Sequence, residues 1–148
     1  MLRYGIVIQE LKATGNANML AFLRDVEKMK RMTKKERDKC LKNRQKPGAV
    51  TKLLEGFIPY IIMVAYAYMD KARTVTLLDL INEGVLGAYA AFERNEKKGE
   101  VLTRRRVRSL IKMRIRKTVY DGYKNPEDVG FDEFAPNDFA NDVLLFGI

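Results

Sequence analysis

The chain has 148 residues, 47% apolar and 32% charged, a globular composition that suits one core with appended segments and not two full-sized cores. It carries 28 Lys and Arg against 19 Asp and Glu, net +9, with no histidine and a single cysteine, Cys40. That inventory excludes a Cys/His zinc site, a Ser-His or Cys-His catalytic constellation and an internal disulfide framework, and the positive excess points to a polyanionic partner.

From the N-terminus, residues 1–10 interleave charges with a short apolar run and do not read as a signal peptide. Residues 17–32 place Met19, Leu20, Leu23, Val26 and Met29 at helical spacing. A lysine-rich run from Thr33 to Lys46 follows, closed by the breaker Pro47-Gly48. It is either a solvated helix face or mobile arm, or a binding surface. Thr51 opens an apolar helix with Leu54, Phe57, Ile58, Ile61, Ala65 and Tyr68 on one stripe, and Pro59 should kink it or mark a fresh first turn. The longest apolar stretch, Phe57 to Met69, contains that proline and is expected to be too short to span a bilayer. Thr76 and Asp79 form a capping box for a helix running to about Phe92, with Lys97-Lys98-Gly99 as its stop. Thr103 is the next cap, and the chain is helical again from Arg104 to about Tyr120. After Asn125-Pro126 the periodicity dissolves into an acidic tail punctuated by Phe131, Phe134, Phe139 and Phe146. Three or four helices and no strand are expected.

Charge is concentrated. Residues 97–117 hold 10 basic and 1 acidic residue, net +9, whereas residues 118–148 hold 1 basic and 7 acidic, net −6. In the helix from Arg104, the stripe Val107, Leu110, Ile111, Ile115, Thr118 and Val119 has core spacing. Arg104 or Arg105, Arg108, Lys112 and Arg116 form a ladder expected on the opposite face. Like charges one turn apart repel by a few tenths of a kcal/mol each. A helix that repeats this without acidic partners is suited to a polyanion, and these residues with Lys98 are the candidate nucleic-acid contacts.

The run LDLINEG at 78–84, continued by a second glycine at Gly87, resembles the signature helix of region 2 in the primary-sigma family of bacterial RNA polymerase initiation factors. Residues 53–69 look like the family's upstream pairing helix and residues 111–115 like part of its DNA-facing helix, so the resemblance covers roughly residues 50–120. It implies a helix that binds the coiled coil of the polymerase β′ clamp through Asp79, Asn82 and Glu83, with Leu80 beside them. Positions 79, 82 and 83 share one helix face, leaving Leu78, Ile81, Val85 and Tyr89 to face inward. Asp79 has two readings, the capping acid and the partner contact. Gly84 and Gly87 would allow close approach between helices at a propensity cost of about 1 kcal/mol each. Two departures stand out. Residues 100–116 contain no aromatic side chain to catch a flipped base, and residues 121–148 are too few and too acidic for the family's second DNA-reading domain. This is the profile of a reduced sigma factor, similar to the late sigma factors encoded by phages.

The ending Asp142-Val-Leu-Leu-Phe146 resembles the short motif by which bacterial proteins dock on the DNA sliding clamp, with Leu144, Leu145 and Phe146 as groove-filling anchors and Asp142 in place of the usual glutamine. Packing on the protein's own core and folding over the basic helix are the other roles open to this tail. The sequence therefore leads to an all-α chain: an N-terminal helical and basic segment over 1–49, a region 2-like bundle over 50–122, and an acidic, largely irregular tail over 123–148. The expected activity is binding without catalysis, cofactor or metal, in a bacterial cytoplasm, with core polymerase, promoter DNA and the sliding clamp as partners and no membrane. The alternatives are a small basic DNA- or RNA-binding protein and a polymerase-binding adaptor or inhibitor.

Overall fold

Side-chain caps set most of the helix starts. The computed structural model of the chain describes residues 3–93 and 101–121, and these contain six α-helices, one 3-10 turn and no strand. α1 (Tyr4–Thr14) leads into α2 (Ala17–Lys28), which opens on Asn16, whose side chain accepts from the Met19 amide at 2.9 Å. Thr33 caps α3 (Lys34–Lys42) in the same way, accepting from the Glu36 amide at 3.2 Å. Gly48, at φ 79°, then turns the chain into α4 (Ala49–Tyr68) through a left-handed conformation that a side chain would strain. A 3-10 turn, Met69–Lys71, links to α5 (Leu77–Phe92), and α6 (Arg104–Asp121) completes the described helices. The all-α expectation holds, with six helices in place of three or four. α1 was not foreseen, and the lysine run is an ordered helix rather than an arm.

α4 is the axis of the bundle, packed by α1, α3, α5 and α6. From Tyr60 to Ala65 every residue is buried, and Ile61, Ile62 and Ala65 are fully enclosed. A helix apolar all round is what a central position requires. Pro59 neither ends it nor begins a new one; the ring only deprives the Glu55 carbonyl of its intrahelical partner. α4 with the 3-10 turn spans Ala49–Lys71, 23 residues of mean hydropathy 1.4, long and apolar enough to cross a membrane. The expectation that this stretch is too short is corrected on length. Its apolar character has a sufficient cause in the bundle, where α1, α3, α5 and α6 cover it.

Helices before and after residue 49 share one core. Val7, Leu11, Met19, Leu23 and Leu41 join Leu53, Phe57, Ile61, Leu80, Ile81, Ile111 and Ile115 in a single apolar cluster. Each fully buried side chain of this size contributes about 1.5–3 kcal/mol relative to exposure. Polar ties close the N-terminal side: Lys12 pairs with Glu27 between α1 and α2, and the Tyr66 hydroxyl donates to Glu10, joining α4 to α1.

Candidate partner and nucleic-acid surfaces

α5 begins as its sequence dictates. The Thr76 side chain accepts from the Asp79 amide at 3.2 Å, and the Asp79 carboxylate accepts from the Thr76 amide at 2.9 Å, a complete capping box. α5 and α6 then run antiparallel at close range. A Cβ on Gly87 would stand 3.1 Å from the Leu110 carbonyl and 3.2 Å from the Ile111 Cα, so glycine is what lets the two backbones approach. One on Gly84 would meet Ile61 of α4 at 2.6 Å and Ile115 of α6 at 3.0 Å. α6 opens on Thr103, whose hydroxyl accepts from the Arg106 amide at 3.2 Å, as its sequence predicts.

The four expected polymerase contacts divide. Asp79 and Asn82 are exposed on the outer face of α5. Glu83 is half-buried at the seam with α6, where it accepts from Arg114 Nε at 2.9 Å and forms an ion pair. Leu80 is fully buried in the core, and its assignment as a surface contact is corrected. The inward stripe of α5 comprises Leu80, Ile81, Gly84, Gly87, Ala88, Ala91 and Phe92, while Leu78 and Val85 are half-buried. Tyr89, expected inward, is 36% exposed with its ring edge-on to Phe92. Leu86, 47% exposed, was missed altogether. Asn82, Leu86 and Tyr89 follow one another at steps of four and three, so the outer face is polar at its N-terminal end and apolar beyond. That same spacing could have revealed it.

The α6 core stripe is as expected: Val107, Ile111, Ile115 and Val119 are buried, with Leu110 and Thr118 half-buried. Of the basic ladder, Arg105 is exposed on the opposite face, but the other rungs are not there. Arg108, Lys112 and Arg116 each sit one residue past a core position and flank the stripe. Lys112 is only 7% exposed. The Arg108 guanidinium lies 4.7 Å from the centre of the Tyr60 ring, a cation–π contact, and the Tyr60 hydroxyl donates to the Arg108 carbonyl at 3.4 Å. None of Arg105, Arg108, Lys112 and Arg116 is without an interaction. A buried ammonium requires such compensation. The solvent side of α6 carries Arg105, Arg106, Met113, Lys117 and Tyr120, with Arg104 half-exposed at its start.

Among the described residues no group of three or more His, Cys, Asp or Glu side chains gathers as metal ligands would. Lys98 and the clamp-motif residues Leu144, Leu145 and Phe146 lie outside the described residues. No family model, curated protein or solved structure matches the chain.

Proposed function

We propose that the protein is a sigma-like initiation subunit, which docks on the β′ clamp coiled coil of core RNA polymerase through the outer face of α5 and on promoter DNA through α6. The observation that carries the reading is the α5–α6 hairpin. Its signature run keeps Asp79 and Asn82 exposed, while Gly84 and Gly87 press the same helix onto its basic neighbour. Leu86 and Tyr89 extend that exposed face with apolar surface suited to a partner helix. On α6, Arg104, Arg105, Arg106 and Lys117 are the cations for backbone phosphates. The protein acts by binding rather than by catalysis, in the cytoplasm of a bacterium or of a phage-infected host. The tail residues Leu144, Leu145 and Phe146 are proposed to tether a sliding clamp.

A small basic nucleic-acid-binding protein is the second reading, favoured by the eight basic and no acidic residues from Arg104 to Lys117. The experiment that separates them is pull-down of core polymerase with Asn82→Arg. Asp79 and Glu83 are poorer probes because one caps α5 and the other pairs with Arg114. Asn82 is exposed, so the variant should keep its helicity and its DNA affinity. A guanidinium forced into the interface should cost about 3 kcal/mol, roughly a hundredfold in Kd for the polymerase. Equal retention of wild type and variant would defeat the sigma-like reading, and so would no retention of the wild type.

A further inference from the structure

The function of the lysine-rich helix is not explained by the α5–α6 hairpin, yet the fold brings it to the same end of the molecule. α5 and α6 are antiparallel, with Glu83 beside Arg114 and Gly87 beside Leu110 and Ile111, so the C-terminal end of α5 lies next to the first turn of α6. Arg44, just past α3, donates from Nε to the Phe92 carbonyl at 3.0 Å and from a terminal nitrogen to the Leu41 carbonyl at 2.7 Å. This pins the end of α3 to the end of α5, and therefore beside the start of α6.

On α3, Leu41 is buried and Arg37, one turn earlier, faces the bundle on the same stripe. The Arg37 Nε is buried and takes no hydrogen-bond partner among the described residues. Burial first, and then the charge of Arg104 against the weaker opposing effect of Asp38, holds its ionisation below the usual guanidinium range. The positive charge of Arg104 on α6 thus reaches Arg37 on α3, and an anion held by both would remove that repulsion. The region is also basic as a whole: residues 33–46 hold 7 basic and 2 acidic residues, net +5.

We infer that Arg37 of α3 and Arg104 of α6 grip a single phosphate of duplex DNA, so that α3 is a second DNA-contacting element and Lys34, one turn before Arg37, meets the neighbouring phosphate. The planar forked guanidinium suits such a shared grip, since two of them offer in-plane donors to different oxygens of one phosphate. The inference rests on α6 being a DNA-facing helix, and it assigns a role to a segment that the α5–α6 hairpin leaves idle.

The test is fluorescence anisotropy of a labelled duplex of arbitrary sequence, titrated over a range of KCl concentrations with the full-length chain. Each phosphate contact contributes about 0.9 to the slope of log K against log salt. Arg37→Gln and Arg104→Gln should each lower that slope by about 0.9, and the double variant should lower it by the same amount, because the two share one phosphate. Additive losses would overturn the shared grip. Lys34→Gln, at an exposed position that tolerates change, should lower the slope by a further 0.9 or so and reports on α3 even if Arg37→Gln fails to fold. A steep wild-type slope with Arg37 and Lys34 variants unchanged overturns this inference alone. A wild-type slope near zero removes the DNA-facing reading of α6 itself.

Discussion

Arg44 satisfies two helix ends with one side chain, because its donors reach the last turn of α3 and the last residue of α5 together. Helix C-termini leave carbonyls without intrahelical partners and carry partial negative charge, so a guanidinium there supplies both hydrogen bonds and a favourable dipole interaction. Arg44→Met keeps much of the stem and removes the donors. We expect it to lower stability by about 1.5–3 kcal/mol, the range for hydrogen bonds to a charged group, read as a shift in the urea midpoint at unchanged slope. No local pattern announces this role, since Phe92 is 48 residues away. Lys112 and Arg108 were misplaced for a related reason. A basic residue one position past each core residue repeats with the same period as the core stripe, so periodicity alone does not say whether it stands opposite or alongside. Tyr60 decides it, by offering Arg108 a ring face.

The α5–α6 pair shows what one element demands of another. Alanine is favoured over glycine in a helix by about 1 kcal/mol, and on propensity alone Gly87→Ala should stabilise. The added methyl would meet the Leu110 carbonyl and the Ile111 Cα, backbone atoms that cannot step aside as a flexible side chain can. We expect a net loss of about 1–3 kcal/mol, as for overpacked interiors, and looser α6 packing visible as reduced thermal midpoint and broadened side-chain NMR signals. The caps of α5 and α6 and the stripe of α6 were legible because capping and period are local. The inward face of α5 was legible only in part. Hydrophobicity directs attention to Leu78, Val85 and Tyr89, whereas the face in closest contact is built largely from Gly84, Gly87, Ala88 and Ala91, residues whose virtue is their lack of bulk. Leu80 went to the core by the same shift of register.

For the whole molecule, the candidate surfaces divide the bundle into an outer face on α5 and a basic end where Arg44, just past α3, ties to the end of α5. The excess positive charge that was evident in composition is thereby distributed. Part of it faces solvent at Arg105, Arg106 and Lys117, part is structural at Arg44 and Arg108, and part, at Lys112, is buried. Counting cations in the sequence overstates the number available to a polyanion, because long side chains lay their apolar stems along the core and hold their charged ends at its rim. The total was readable from the chain, and its allocation required the packing of α3 and α6 onto α4.

The position of α4 has a kinetic consequence. Amide protons at a bundle's rim exchange with solvent through small local openings, while those enclosed on every side wait for the whole fold to come apart. The amides from Ile61 to Ala65 sit in the second kind of place, with neighbours on α1, α5 and α6 that would all have to leave. In native-state exchange into deuterated buffer they should be the last to label, with an opening free energy equal to that of global unfolding from the urea melt. The amides of α3, anchored mainly by Leu41 and Arg44, should label well before them. Labelling of α4 as early as α3 would mean that the bundle opens along its axis and is not the closed body described above.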